Sequence, residues 1–294
     1  MDSALTTVAL PLALGIIMFG LGLSLTIDDF RRIGRHPMAV AVALGCQLVL
    51  LPLVCFGLVK LFDLSPLLAV GMMLLAASPG GTSANLFSHL FRGDVALNVT
   101  LTAVNSVIAI ATLPLITNLA IDHYDLGDEV SLPLSKVLEV FAIVLIPVAI
   151  GMLVRSKAKS WALRMDKPVR IASAVILAVL VLAILLDQRE NVSGYLADVG
   201  LVAAIFCAIS LVVGYVVPRA AGVRDDQAVA SSMEIGVHNG TLAIYVAVEV
   251  LDRTQISVPA AVYSIFMFVF AALWGVFLTR VLHPRSERPM TPAA

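Results

Sequence analysis

The chain has 294 residues, of which 60% are hydrophobic and only 13% are charged, and its mean hydropathy is +1.00. Soluble domains carry about 25% charged residues, so the composition excludes a soluble globular protein and indicates an all-α polytopic membrane protein. The formal net charge is −1 and the basic residues lie in short loops, so we expect no nucleic acid partner.

Nine apolar segments of about 20 residues or more follow one another, each long enough to cross roughly 30 Å of hydrocarbon. We predict membrane spans at residues 4–26, 37–60, 66–91, 94–121, 132–155, 168–187, 196–218, 226–251 and 257–283. The first has neither a basic stretch before it nor a convincing cleavage site after it, so we interpret it as a membrane helix and not as a signal peptide. Residues 1–294 then form a single transmembrane unit with a tail at 284–294.

The basic residues divide unequally between the two sets of span ends. Of the 19 lysines and arginines, Lys60, Lys136, Arg189 and Arg253 fall at one set, and the other 15 fall at the opposite set. Loops rich in Lys and Arg stay in the cytoplasm. We therefore expect the N-terminus outside and the C-terminus in the cytoplasm.

Two spans are interrupted by residues that do not favour a helix. The third contains the run Ser78-Pro79-Gly80-Gly81-Thr82, and the eighth contains the run Glu234 to Thr241 with two glycines beside Asn239. Each is the third span of a group of four, at residues 1–121 and 168–283, and span 132–155 between the groups inverts their topology. Interrupted segments at matching positions of two halves indicate the binding site of a secondary transporter.

Polar residues gather around these interruptions. A carboxylate such as Glu234 costs about 3 kcal/mol or more at bilayer depth, so an intramembrane acid suggests a functional site. In the fourth span, Asn98, Thr102, Asn105 and Thr112 lie on one helical face, and Gln47 is a lone amide in the second span. These amides and hydroxyls have structural interpretations as well, either as hydrogen bonds between helices or as packing contacts.

The polar residues around the interruptions are of types that can bind a cation and an anion. Sodium prefers carboxylate, amide, hydroxyl and carbonyl oxygens, which Glu234, Asn85, Asn98, Thr102 and Gln47 provide. Helix N-termini favour anions, because their N–H groups are free and the helix dipole is positive there. Gly80–Thr82 and Asn239–Thr241 stand where such N-termini are expected.

Several motifs together resemble the bile acid:sodium symporter family, and the resemblance covers nearly the whole chain. They are Leu14 to Leu23, Asp29-Phe30, Pro79-Gly80-Gly81-Thr82-Ser83-Ala84-Asn85, Arg92-Gly93-Asp94-Val95-Ala96-Leu97 with Thr102, and Glu234-Ile235-Gly236-Val237-His238-Asn239-Gly240. The resemblance implies a core domain of spans 2, 3, 4, 7, 8 and 9 against a panel of spans 1, 5 and 6, with two broken helices crossing in the core. Bacterial members often have ten helices, and this chain is expected to lack the first.

The resemblance also implies a first sodium site. Its ligands correspond here to Asn85, Thr102 and Glu234. Two family serines are replaced, one by Ala84, which has no ligand atom, and one by Asn98, which still offers an oxygen.

A second sodium site is implied with altered chemistry. Glu234, Gln47 and the carbonyls of Ile235 and Val237 correspond to family ligands, but His238 stands where the family has glutamine. Imidazole nitrogen is a poor ligand for sodium. His238 is instead a candidate proton carrier, because its unperturbed pKa lies near neutrality.

For the transported anion, the resemblance points to Thr82 and Asn239 with the neighbouring backbone at Gly81 and Gly240. The leading hypothesis is a sodium-coupled symporter of a small organic anion in a bacterial inner membrane, with sodium as coupling ion and no cofactor. A proton-coupled transporter using Glu234 and His238 is the alternative. An intramembrane enzyme using the same pair is a remote alternative, since no paired-carboxylate or zinc motif supports catalysis. The substrate and the oligomeric state are not predicted.

Overall fold

The computed structural model describes residues 10–127, 134–187 and 192–282, and these are helical apart from short connections. The described ranges leave out the beginning of the first predicted span, residues 132–133, residue 283 and the predicted tail at 284–294. Twelve helices follow one another in the described part of the chain, and two pairs of short helices replace the two interrupted spans.

The bounds follow the apolar segments closely. The helices are α1 Leu10–Ser24, α2 Ile27–Arg31, α3 Pro37–Leu61, α4 Pro66–Ala77, α5 Ser83–Leu90, α6 Val95–His123, α7 Leu134–Lys157, α8 Lys159–Asp187, α9 Val192–Ala220, α10 Asp225–Gly236, α11 Gly240–Val250 and α12 Thr254–Phe277, the last continued by a π-turn at Leu278–Leu282. Six of them are long and apolar enough to cross a membrane, namely α3, α6, α7, α8, α9 and α12. The count of nine spans stays a prediction.

One boundary differs clearly from the expectation. The sixth predicted span begins at 168, whereas α8 begins at Lys159 and continues through Pro168. Hydropathy marks where the apolar stretch begins, and a helix can extend beyond that point with polar turns. The extra turns carry Lys159, Arg164 and Lys167.

Contacts between connections define two ends of the molecule. At the end rich in arginine and lysine, which we call the basic end, Asp94 N donates to the Asp226 carbonyl over 2.8 Å. At the opposite end, Lys60 Nζ lies 3.4 Å from His123 Nε2. These two contacts lie at opposite ends of α6, while the placement of the other connections and the cellular side that each end faces stay predictions.

The helices pack in two groups. α1 packs chiefly against α7 and α8, and α3–α6 with α9–α12 pack mainly with one another. Small residues allow the close approach of α1 and α7, because a Cβ at Gly22 would overlap the Val148 carbonyl. The division into panel and core that the family resemblance implies stays a prediction, as does movement of one group against the other.

Candidate functional site

The two chain breaks cross at the centre of the larger group and bond to each other. Gly81 N donates to the Val237 carbonyl over 2.7 Å, and Asn239 N donates to the Pro79 carbonyl over 2.8 Å. Gly80 and His238 form an isolated antiparallel bridge between these bonds. Buried backbone groups need partners, and the crossing lets each break provide partners for the other. The second halves, α5 and α11, begin at Ser83 and Gly240, where the sequence predicts helix N-termini.

Glu234 lies at the end of α10 beside this crossing and is only 2% exposed. The Thr102 hydroxyl donates to its Oε2 over 2.5 Å. Its carboxylate lies against the backbone of Gly80, where an added Cβ would overlap it. Its Oε1 has no hydrogen-bond partner among the described residues. Glu234 therefore keeps one bare carboxylate oxygen at the centre of the fold.

Helices α6 and α10 run side by side from the basic end to Glu234. Three hydrogen bonds connect them at successive turns, and every donor precedes its acceptor by the same number of residues, 132. The bonds are Asp94 N to the Asp226 carbonyl at 2.8 Å, Asn98 Nδ2 to the Ala230 carbonyl at 2.8 Å, and Thr102 Oγ1 to Glu234 Oε2. The constant offset means that the two helices are parallel and in register, which places Asn98 one turn from Thr102 on the face that meets α10.

Two further oxygens near Glu234 are bare. Asn98 Oδ1 and Asn85 Oδ1 have no partner among the described residues, although both side chains are buried, at 0% and 4% exposed. Asn85 lies on α5, which packs against both α6 and α10. Leaving a buried acceptor unsatisfied costs about 1–3 kcal/mol. Three unpartnered oxygens on three adjoining helices, one of them from a carboxylate, are of the type that a hard cation prefers.

Gln47 and His238 form a different arrangement on the other side of the crossing. Gln47 lies in a π-helical turn of α3, and its Nε2 donates to the Ser78 carbonyl over 3.1 Å. His238 Nδ1 lies 3.2 Å from the same carbonyl, and its ring stacks on Phe206 at 5.7 Å between centroids and meets Tyr263 edge-on.

This arrangement fits a second cation poorly. The Val237 carbonyl already accepts from Gly81 N, and the imidazole of His238 offers nitrogen where an oxygen ligand is needed. Gln47 Oε1 has no hydrogen-bond partner among the described residues, which is also true of Asn85 Oδ1, Asn98 Oδ1 and Glu234 Oε1. Ile235 is fully buried in the last turn of α10. Of the two predicted ion sites, the geometry therefore favours the one that contains Asn85, Asn98, Thr102 and Glu234.

The residues predicted to bind the anion lie together around a small cavity. Thr82, Asn239, Gly81 and Gly240 line a cavity of 20 Å³, together with Ile17 of α1, Ser173 and Leu177 of α8, Ser83, His238, Thr241 and Met267. Asn239 Oδ1 accepts from Leu242 N over 3.0 Å and so caps α11. The cavity lies between the two helix groups and has room for about one water molecule. A larger apolar cavity of 720 Å³ between α1 and α7 lies away from the crossing and from every predicted site residue.

Some site residues were not found from the sequence. Ser173, from the smaller helix group, lines the cavity, yet a lone serine in an apolar span carries no signal of its own. Gln227 and Ser231 lie on α10 two turns and one turn before Glu234, and the spacing of four and three residues could have revealed them. Ser88 follows Asn85 by three residues on α5 in the same way.

Two broken helices that cross at a buried carboxylate, with two helix N-termini facing a cavity between helix groups, define a secondary transporter. The chain belongs to the sodium bile acid symporter family, whose model matches residues 11–195. The members of that family are sodium-coupled transporters of bile acids or metabolites and not enzymes, and the apolar helices accord with a multi-pass membrane protein.

Curated relatives are spread widely among organisms. The chain is 28% identical over 258 residues to an "uncharacterized sodium-dependent transporter" of Bacillus subtilis, covering 86% of this chain and 77% of that protein. It is 30% identical to the "probable sodium/metabolite cotransporter BASS1, chloroplastic" of Arabidopsis thaliana, covering 89% of this chain but 65% of the relative. It is 25% identical to the human ileal sodium/bile acid cotransporter, covering 92% of this chain and 79% of the relative.

Proposed function

We propose that this protein is a sodium-coupled symporter that imports a small organic anion across a bacterial inner membrane by alternating access. The observation that supports this most is the group of bare buried oxygens from Asn85, Asn98 and Glu234 next to Thr102. These four residues bind the ion. The 2+ charge of calcium or magnesium would call for more carboxylates, and Glu234 is the single acid of this group.

The anion binds where the N-termini of α5 and α11 converge. Thr82 and Asn239 contact its carboxylate or a neighbouring hydroxyl, and the backbone at Gly81 and Gly240 lets the substrate approach closely. Relatives are named for bile acids and for metabolites. We favour a small metabolite carboxylate, because a cavity of 20 Å³ needs less opening to admit one than to admit a sterol.

Transport follows from relative movement of the two helix groups. The inverted repeats at 1–121 and 168–283, joined by span 132–155, provide two related conformations, and the smaller group of α1, α7 and α8 is the panel against which the core moves. Sodium couples to the anion because Glu234 lies against Gly80, on the same crossing that orders the anion-binding helix ends. A ligand shifts a conformational equilibrium only by its difference in affinity for the two states. The basic end faces the cytoplasm.

The first experiment measures thermal unfolding of the detergent-purified protein in sodium chloride, with potassium chloride and choline chloride at equal ionic strength. A ligand that binds only the folded state stabilises it by about 2.7 kcal/mol at one hundred times its Kd, so we expect sodium alone to raise Tm by several degrees. The Glu234→Gln variant should lose this rise. Glu249→Gln, at the far end of α11, is the matched control and should keep it.

An equal Tm in all three salts would contradict the ion site. Stabilisation by lowered pH without any effect of sodium would support proton coupling through Glu234 and His238 instead. His238 is only 1% exposed and forms no ion pair among the described residues, and burying a positive charge without an anionic partner is unfavourable. Sodium is therefore the expected coupling ion.

A further inference from the structure

Buried polar groups without partners continue from Glu234 toward the basic end. On α10, Gln227 and Ser231 precede Glu234 by seven and three residues, which places all three on one helical face. Gln227 is 5% exposed and Ser231 is 1% exposed. Gln227 Nε2 and Ser231 Oγ have no hydrogen-bond partner among the described residues. They do not belong to the ion site predicted from the sequence.

The facing helix carries a matching group. Ser88 lies three residues after Asn85 on α5, is fully buried, and its Oγ also has no partner within the described part of the chain. Since α5 packs against α10, Ser88 extends the polar surface from Asn85 as Ser231 extends it from Glu234. We call Ser88, Gln227 and Ser231 the polar strip.

At the basic end the strip reaches three charged residues, Arg224, Asp226 and Asp94, which we call its mouth. Arg224 donates two hydrogen bonds to Asp226, at 3.1 and 2.7 Å, and its guanidinium lies 3.9 Å from Asp94. The side chain of Arg224 is 61% exposed and that of Asp94 is 18% exposed. Asp226 and Glu234 are eight residues apart on one helix, a rise of about 12 Å. The path from the ion site to water is therefore short and begins at two carboxylates covered by one arginine.

In the opposite direction unpartnered polar groups are sparser along α6. Asn105 follows Thr102, but Ala109 and Leu113 are buried and apolar, and Thr112 between them donates to the Ile108 carbonyl of its own helix. The next unpartnered polar group on α6 is Thr117, about 18 Å from Asn105 along the helix. Helix α10 itself ends at Gly236, so the paired surfaces of the strip do not continue. Among the described residues, the unpartnered groups that α5 and α10 add beyond Asn85 and Glu234 therefore lead toward the basic end.

We propose that the polar strip is the route by which the coupling ion leaves Glu234 for the basic end, with Arg224 covering its mouth. This inference rests on the proposed function. A dehydrated cation needs oxygens along its way, and the hydroxyls of Ser88 and Ser231 provide them. Gln227 can turn either its amide oxygen or its nitrogen into the same space. Each unpartnered group costs stability in the closed arrangement, which favours states in which water or the ion enters.

The test uses cysteine accessibility in proteoliposomes. Cys46, Cys55 and Cys207 are free and buried, and they are first replaced by alanine. Ser231→Cys and Ser88→Cys are then introduced separately and treated, from each side of the membrane in turn, with a small cationic methanethiosulfonate that does not cross the bilayer. The matched control is Ser232→Cys, because the Ser232 hydroxyl donates to the Leu211 carbonyl and accepts from Trp274, away from the strip.

We expect Ser231→Cys and Ser88→Cys to react from the basic end at least tenfold faster than Ser232→Cys, and sodium but not potassium to slow them. Reaction no faster than the control, or reaction from the opposite end, would overturn the route. If the cysteines react from the basic end but sodium does not slow the reaction, the strip contains water but does not conduct sodium, and the route for sodium is overturned. Of these outcomes, only this absence of slowing by sodium also counts against the proposed function.

A second variant keeps the inference testable if a cysteine variant fails to fold. Ser231→Val adds bulk to the strip without touching the oxygens around Glu234. We expect it to keep the sodium-dependent rise in Tm and to lower uptake at least tenfold. Uptake by Ser231→Val equal to that of the parent protein would contradict the route.

Discussion

Gly80 shows how one missing side chain shapes the candidate ion site. The carboxylate of Glu234 occupies the space where a Cβ of residue 80 would stand. The backbone at the break can therefore lie directly against the acid. In the proposed function, this proximity connects binding of the ion with the geometry of the helix ends to which the anion is proposed to bind.

We predict that Gly80→Ala abolishes the sodium-dependent rise in Tm and lowers uptake at least tenfold, because the new methyl group must displace the Glu234 carboxylate from Thr102. The control is Gly45→Ala in α3, where an added Cβ meets nothing within 4 Å. That substitution should be neutral or slightly stabilising, since alanine is the better helix former. A normal sodium response in Gly80→Ala would mean that the carboxylate binds no ion at this position.

At the residue scale, the sequence was sufficient to select the buried polar residues near the crossing, but not their hydrogen-bond partners; their role in ion binding stays a prediction. Glu234, Asn85, Asn98 and Thr102 stood out because polar groups are costly in apolar helices. The bond from Asn98 to the carbonyl of Ala230 could not be predicted, because an alanine backbone carries no pattern. The sequence also does not show that an added Cβ would overlap a neighbour at Gly80 but not at Gly45, because both are glycines in apolar spans.

Among the helices, the short α5 and α11 begin next to the crossing of the two breaks. α5 and α11 begin inside the fold, and their first turns need groups that satisfy the free N–H donors. Asn239 does this for α11 by accepting from Leu242 N. It also lines the small cavity between the helix groups, so the same side chain has a structural role and a proposed binding role.

Two substitutions at Asn239 separate these roles. Asn239→Asp keeps an oxygen that can cap α11 but adds a negative charge to the cavity, so we predict near-parental Tm with uptake of the anion lost. Asn239→Ala removes the cap and should lower stability by about 1 kcal/mol as well as reducing uptake. Uptake assays and unfolding of the same preparations check both. Full uptake by Asn239→Asp would show that the anion binds elsewhere.

Helix positions were largely predictable, and their local departures were not. The two breaks follow from the proline and glycines of each span. The π-turn around Gln47 lies between Gly45 and Pro52, and the one that ends α11 contains neither proline nor glycine. The apolar pattern of the sequence does not distinguish either turn from an ordinary α-helix. The parallel register of α6 and α10 likewise depends on contacts between residues far apart in sequence, although the face of α6 that takes part was readable from its spacing.

For the whole molecule, the cavity between the two helix groups is the feature on which the proposed transport depends. At 20 Å³ it is too small for any organic anion, so substrate entry requires the groups to separate. Ser173 of α8 is the polar residue that the smaller helix group places in the cavity lining. Substitutions at Ser173 therefore test whether separation of the two groups drives uptake.

We predict that Ser173→Phe blocks uptake by holding the two groups apart, while the sodium-dependent rise in Tm persists, because the ion site lies wholly in the larger group. Ser173→Ala should transport at a rate within a few-fold of the parent. Loss of the sodium response in Ser173→Phe would indicate that the ion site depends on closure of the two groups, contrary to this prediction.

The bonded crossing of the two breaks also has a consequence for biosynthesis. Ser78 and His238 are 160 residues apart, and at about 5–20 residues per second the ribosome needs roughly 8 to 30 seconds between them. During that interval the amide of Gly81 and the carbonyl of Pro79 are in the nascent chain without their final partners. Backbone N–H and C=O groups without hydrogen-bond partners are not tolerated in contact with lipid. The break in the first half must therefore be kept away from lipid, in water or against the insertion machinery, until the last quarter of the chain has been synthesised.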